Sequence, residues 1–235
     1  MKSNNYPRYF LLFLACLLPI LVGTVVLAAD EEYPEDIAER LQQKYDAMTS
    51  LAFKFNQDTR GEITGRPRKG SGNATFYKGT DSSKMRWNYT DPKKQIILSD
   101  SVHFYMYFEE LKQMIISPAG PLERDLTYSF FAGNGQLKDD FYIRPPNTEF
   151  QSDSDVGFKV IKLVPIEPHS QVQDIHLWVS SDSLIRRIHI HDHFGTITVL
   201  NLSDIMPDVL EGRSVEETNA LFSFNPPEGT EIIEQ

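Results

Sequence analysis

Five apolar-rich stretches follow one another with almost nothing between them, at about 73–78, 84–90, 94–99, 102–108 and 111–116. Asp91-Pro92, Asp100-Ser101 and Glu109-Glu110 punctuate them. A parallel crossover consumes about a dozen residues or more, so neighbours this close in sequence pair antiparallel. That constraint shapes everything else the chain can do. Leu51, Phe53 and Phe55 alternate with Ala52, Lys54 and Asn56 in a strand before this run. Further strands are expected at about 140–144, 156–165, 172–180, 184–192, 195–203 and 221–224. About ten to eleven antiparallel strands must close into a barrel or curve strongly. The basic, Gly-rich segment 61–72 reads as a hairpin loop.

Helices interrupt the meander. Ile37, Leu41, Tyr45 and Met48 recur at helical spacing after Pro34, predicting a helix over about 35–49. Leu122, Leu126 and Phe130 recur every four residues, with Glu123, Arg124 and Asp125 opposite, predicting a second helix within 118–131 that stops near Gly133-Asn134-Gly135. A helical turn is expected at Leu137–Asp140 and a short helix within the polar stretch 206–217. Their apolar faces need cover, and the concave side of the sheet supplies it. The class is mainly β, with some α.

The first 29 residues read as a targeting segment. Lys2 and Arg8 precede an apolar run from Tyr9 to Leu27, which ends in small residues with a cleavage point at Ala28 or Ala29. Residues 30–235 then form one domain. The run is also close to bilayer length, so an uncleaved anchor is the competing reading. Cys16 lies inside it, preceded by Phe13-Leu14-Ala15, a poor lipidation signal. Cleavage would leave no cysteine, which excludes thiolate metal sites and cysteine nucleophiles. The net charge is −10, and losing Lys2 and Arg8 makes the remainder two units more acidic. That argues against nucleic acid and against simple adsorption to an anionic membrane.

Residues 84–116, KMRWNYTDPKKQIILSDSVHFYMYFEELKQMIIS, resemble the central signature of the LolA-like outer-membrane lipoprotein carriers. Met85, Arg86, Trp87, Tyr89, Pro92, Asp100, Phe104 and Gln113 fill its places. The opening Leu51–Gln57 is similar to the family's F-x-x-x-F-x-Q, and Phe222–Gly229 to its closing strand and Pro-Pro-x-Gly turn. The chain departs where the family usually has Lys-Arg-Pro or Lys-Lys-Pro. It reads Tyr77-Lys78-Gly79-Thr80 instead, leaving Lys78 as the candidate latch for the lid.

The resemblance implies an incomplete antiparallel barrel with an α-helical lid on its concave side. It implies a monomeric periplasmic chaperone without cofactor or catalytic residues. Such a chaperone receives lipoproteins from an inner-membrane ABC transporter and passes them to an outer-membrane receptor. Phe53, Phe55, Met85, Trp87, Tyr89 and Phe104 would line the lipid cavity, and Leu122, Leu126, Phe130 and Phe131 would form the lid. For any one of them, plain core is the competing reading. A membrane-anchored or soluble lipid-binding sensor on the same shell is the alternative function, and a metal-dependent or carboxylate hydrolase ranks last. Each buried methylene contributes ~0.8 kcal/mol to membrane affinity, so a sixteen-carbon chain is held by ~12 kcal/mol and needs an apolar host to cross water.

His189, His191 and His193 alternate and suggest a metal row. Ligands ~6.5 Å apart along a strand are too far for one zinc, which favours a solvated outer face with Ile188 and Ile190 turned inward, and no metal. Gly133-Asn134-Gly135 reads as a turn, and no hydrolase motif is present.

Overall fold

The computed structural model describes residues 32–61, 67–79, 82–120, 130–131, 135–151, 157–169 and 171–235. The targeting segment, Leu122, Leu126 and Gly133-Asn134 fall outside the described residues. Among the described residues no helix is long and apolar enough to cross a membrane.

Helix α1 (Pro34–Asp46) starts with Pro at its first turn and Glu35 and Asp36 beside the positive end of its dipole. Ile37, Ala38, Leu41 and Tyr45 form its buried stripe. It stops three residues earlier than the periodicity suggests, yet Met48 stays buried in the turn that follows.

Six strands come next: β1 (Ser50–Arg60), β2 (Arg68–Lys78), β3 (Ser83–Asp91), β4 (Gln95–Ser99), β5 (His103–Phe108) and β6 (Gln113–Pro118). Then come α2 (Leu137–Asp140), β7 (Phe141–Arg144), α3 (Thr148–Gln151), β8 (Phe158–Pro165), β9 (Asp174–Ser180), β10 (Ile185–His191) and β11 (Ile197–Pro207). Helix α4 (Val215–Leu221) and β12 (Glu231–Glu234) close the chain. All twelve strands join one open, curved sheet in the order β12-β6-β5-β4-β3-β2-β1-β11-β10-β9-β8-β7. Every hairpin neighbour is antiparallel, as close spacing demands. The chain's long return places β11 beside β1, so the first strand lies in the middle of the sheet.

Two expectations need correction, and one strand is unannounced by its sequence. Residues 68–72 belong to β2 and not to a loop. Gly72 is a glycine because β2 and β3 approach closely at a register shift; a Cβ there would lie 1.8 Å from the Asn88 carbonyl oxygen. Residues 221–224 form no strand. Residue 221 ends α4, which the Ser214–Glu217 capping box starts, and the aromatics after it anchor irregular chain: Phe222 packs on Tyr77 and Phe224 on Tyr107. The last strand is β12, which pairs parallel with β6, and the long connection through α4 makes that direction possible.

The principal core lies on the concave face. Alternation sends Phe53, Phe55, Ala74, Phe76, Ile161, Leu163, Ile175, Leu177, Ile188, Leu200 and Leu202 into it, under the stripe of α1. The Tyr45 hydroxyl accepts from the Ile185 N–H at 3.2 Å, tying helix to sheet, and burial pushes that phenol's pKa up.

Candidate functional site

The concave wall is aromatic on the β1–β3 side. Phe53 and Phe55 project from β1, Phe76 from β2, and Met85, Trp87 and Tyr89 from β3. Phe53 meets the edge of Trp87 at 5.6 Å, and Phe55 lies 4.6 Å from Trp87 and 4.9 Å from Tyr89, between ring centroids. Phe53, Phe55 and Met85 are buried, whereas Trp87, Tyr89 and Phe104 are only partly covered and pack against the same cluster. The Tyr89 hydroxyl donates to Gln57 Oε1 at 2.7 Å. Trp87 Nε1 is buried and makes no hydrogen bond among the described residues.

Of the expected lid residues, Phe130 and Phe131 are helical and buried at 8% and 2% exposure. Phe131 stacks against Phe53 at 5.5 Å and Phe76 at 5.2 Å, and Phe130 against Tyr45 at 4.9 Å. They plug the wall. Among the described residues, a space of about 20 Å³ lies between this pair and Leu163, Ile175, Leu177 and Ile188, and one of about 10 Å³ beside Tyr45, Phe76 and Lys78. Each holds about one water.

Lys78 Nζ donates to the Tyr45 carbonyl at 2.5 Å, so the bond seen goes to the C-terminal end of α1. Burial lowers its pKa. Arg86 Nη1 donates to the Leu221 and Ser223 carbonyls at 3.0 and 3.1 Å, holding the segment after α4 against β3. Asp100 closes the β4–β5 turn: it accepts from the Val102 and His103 N–H groups at 2.9 and 2.8 Å and from the Tyr105 hydroxyl at 2.8 Å. Burial works against its charge, but those three donors outweigh it and lower the pKa, while burial and Asp100 together push the Tyr105 phenol up to about 12.

Two members of the wall and plug escaped the sequence reading. Phe76 alternates with Ala74 and could have been found by period two; Tyr45 was assigned to the helix stripe, but nothing local says it meets Phe130.

The convex face holds a second group. Ile188 is buried and Ile190 packs inward, as alternation requires. His189 and His191 do not lie on a fully solvated face, however. Residues 147–151 cover them, with the Phe150 ring 5.2 Å from His189 and 4.8 Å from His176. His193 leaves the row: it sits in the turn after β10, with Nε2 2.9 Å from the His169 carbonyl. The neighbours of His189 and His191 lie across the ladder, where His176 and Asp174 are their register partners. Reading along one strand missed them. Asp174 is 5% exposed and contacts Lys162 at 3.2 Å. Burial disfavours its charge, but His176 and Lys162 outweigh that and hold the carboxyl at about 2.

The fold and wall define a class: an open antiparallel half-barrel whose apolar concave face is plugged by helical aromatics. The model of the family described as outer membrane lipoprotein carrier protein LolA matches residues 46–211. The chain is 30% identical over 221 residues to an outer-membrane lipoprotein carrier protein of Alkalilimnicola ehrlichii, covering 94% of each. It is 27% identical over 195 residues to one of Methylococcus capsulatus, covering 83% of this chain and 86% of that one. A LolA superfamily protein from Nitrosomonas europaea, of solved structure, superposes with a TM-score of 0.41 at 15% identity over 82% of this chain and 98% of that one. The chain belongs to the LolA family of outer membrane lipoprotein carrier proteins.

Proposed function

We propose that this protein is a periplasmic chaperone that binds the acyl chains of lipoproteins in its concave face, takes them from an inner-membrane ABC transporter and releases them to an outer-membrane receptor. The observation that carries the reading is the plugged aromatic wall. Phe53, Phe55, Phe76, Trp87 and Phe131 form one contact cluster in which the plug, not a further layer of sheet, covers the wall. Acyl chains compete for the same surface, and each methylene they bury there repays the displaced ring contacts. Because the empty pocket is already filled, the net gain is smaller than the ~12 kcal/mol a bilayer offers one chain, and cargo can be handed on. Family membership supports the carrier role and gives no reason to expect catalysis.

Leu122 and Leu126 complete the lid in this reading, and the Lys78 bond to α1 steadies the rim over which it opens. The indole N–H of Trp87 serves in this reading as a donor to an ester or amide carbonyl at the head of an acyl chain.

Native mass spectrometry of protein recovered from periplasm, followed by organic extraction, tests this. Co-purified triacylated lipoprotein is expected. Free phospholipid or fatty acid alone would replace the carrier with a lipid sensor on the same shell. An empty protein that also fails to accept lipoprotein from membranes would refute the proposal.

A further inference from the structure

On the convex face, β9 and β10 bring three ligand-type side chains to one point beneath residues 147–151. Asp174 Oδ1 lies 3.4 Å from His176 Nδ1 and 3.0 Å from His191 Nδ1. Neither contact has hydrogen-bond geometry: Asp174 Oδ1 and His176 Nδ1 are both buried and without a hydrogen-bond partner among the described residues, on residues 5% and 0% exposed. The carboxylate is held by charge, but no well-directed hydrogen bond joins Asp174 Oδ1 to either ring, and His176 Nδ1 has no other partner among the described residues; a buried polar group left so costs ~1–3 kcal/mol. A shared cation resolves it. In a tetrahedral site with bonds of ~2.0–2.1 Å, ligand atoms stand ~3.4 Å apart. The two Asp–His separations sit around that value, and all three ligand atoms lie within 4.8 Å of one another. His191, whose side chain is 20% exposed, has room to turn and close the remaining gap.

We infer that Asp174, His176 and His191 form a binding site for a first-row divalent cation of the zinc–copper group. Two imidazoles and one carboxylate suit those ions, whereas magnesium and calcium prefer all-oxygen sites. The adjacent residues have roles that follow from their contacts. Lys162 takes the other carboxylate oxygen, Oδ2, at 3.2 Å, and its Nζ donates to Asn147 Oδ1 at 3.0 Å. It orients the carboxylate so that Oδ1 faces the imidazoles, while its positive charge limits cation affinity. The Asn147 N–H donates to His176 Nε2 at 3.4 Å, at the long limit of a hydrogen bond. Cation binding at Nδ1 moves the ring proton to Nε2, so Asn147 loses its acceptor and the cap over the site loosens. His189 is the fourth candidate ligand: its ring is 4.7 Å from His191, and its buried Nε2 has no hydrogen-bond partner among the described residues.

The test uses the full mature protein, stripped with chelator, and ZnCl₂ or CoCl₂ titrated against a competing indicator. One equivalent is expected to bind, with the intense visible absorption of four-coordinate Co²⁺. His191→Gln and Asp174→Asn should each weaken binding by more than the ~100-fold that loss of an outer-sphere partner costs. Lys162→Gln should tighten it, and amide exchange at Asn147 should speed up when zinc is bound. His193→Gln and His103→Gln, which alter exposed imidazoles elsewhere, should leave affinity unchanged. Circular dichroism confirms each variant's fold, and the Co²⁺ spectrum of the unmutated protein stands whether or not any variant folds. Failure of the unmutated protein to bind either ion, or binding that survives His191→Gln undiminished, overturns the inference. Lipoprotein binding is not read in this test, so its outcome is independent of the carrier proposal.

Discussion

The two halves of the concave face differ in what covers them. From β8 to β11 the wall is aliphatic: Ile161, Leu163, Ile175, Leu177, Ile188, Leu200 and Leu202 are all buried, in one cluster with the stripe of α1. From β1 to β5 it is aromatic: Phe131 of the plug covers Phe53 and Phe76, while Trp87, Tyr89 and Phe104 are only partly covered. Aliphatic side chains close-packed in a core interdigitate and hold a helix against the sheet. Flat rings offer a broad apolar surface that an acyl chain can cover in place of another ring, at a loss of only ~0.5–1.5 kcal/mol per ring pair. One half is therefore a clamp that keeps α1 in place, and the other is a surface whose cover can be replaced.

The strongest way to break that contrast is to put a carboxylate on each half. Leu177→Glu places an uncompensated charge at a site 4% exposed, and a loss above ~4 kcal/mol is expected, read as disappearance of the cooperative urea transition. Trp87→Glu should keep that transition, because the group can reach the partly covered rim, while abolishing binding of an apolar fluorescent probe. Equal unfolding of both variants would reduce the aromatic half to ordinary core.

Phe131→Ala removes the plug ring. Stability should fall by ~3 kcal/mol, at the low end for a buried Phe, and probe binding should rise several-fold as the wall between Phe53 and Phe76 opens. A loss of both would show that the plug is part of the clamp. Tyr45→Phe leaves the Ile185 N–H unpaired and should cost ~1–2 kcal/mol by urea denaturation with probe affinity unchanged, which locates the clamp on the aliphatic side.

The smallest effect concerns Asp100. Its pKa is lower in the folded protein than in the unfolded chain, so the unfolded chain binds more protons at low pH. The stability it contributes is full above the ordinary carboxylate range near pH ~4 and is lost as pH falls through the folded value. Asp100→Asn should flatten the urea midpoint against pH below ~4 and cost ~1 kcal/mol at neutral pH. An unchanged acid slope would mean that the turn is not held by the carboxylate.

Much of this was legible in the chain. The helix of Ile37, Leu41 and Tyr45, the turn of helix at 137–140 and eleven of the twelve strand positions are local patterns of period 3.6 or two. The strand at 231–234 escaped because Glu-Ile-Ile-Glu carries no alternation, and Gly70 and Gly72 read as loop because a glycine's tolerance of close backbone approach looks the same in sequence as a turn.

By itself, then, the sequence determined that the closely spaced strands are antiparallel, that their sheet curves and which residues share a face, since side-chain period and connection length are properties of consecutive residues. Only the tertiary structure decided what meets across that periodicity. Phe131 reaching Phe53, Arg86 reaching Leu221 and Asp174 meeting His176 and His191 follow from register and sheet order. Register is set by the packing of the whole sheet, and pairing across strands leaves no trace in the spacing along one of them.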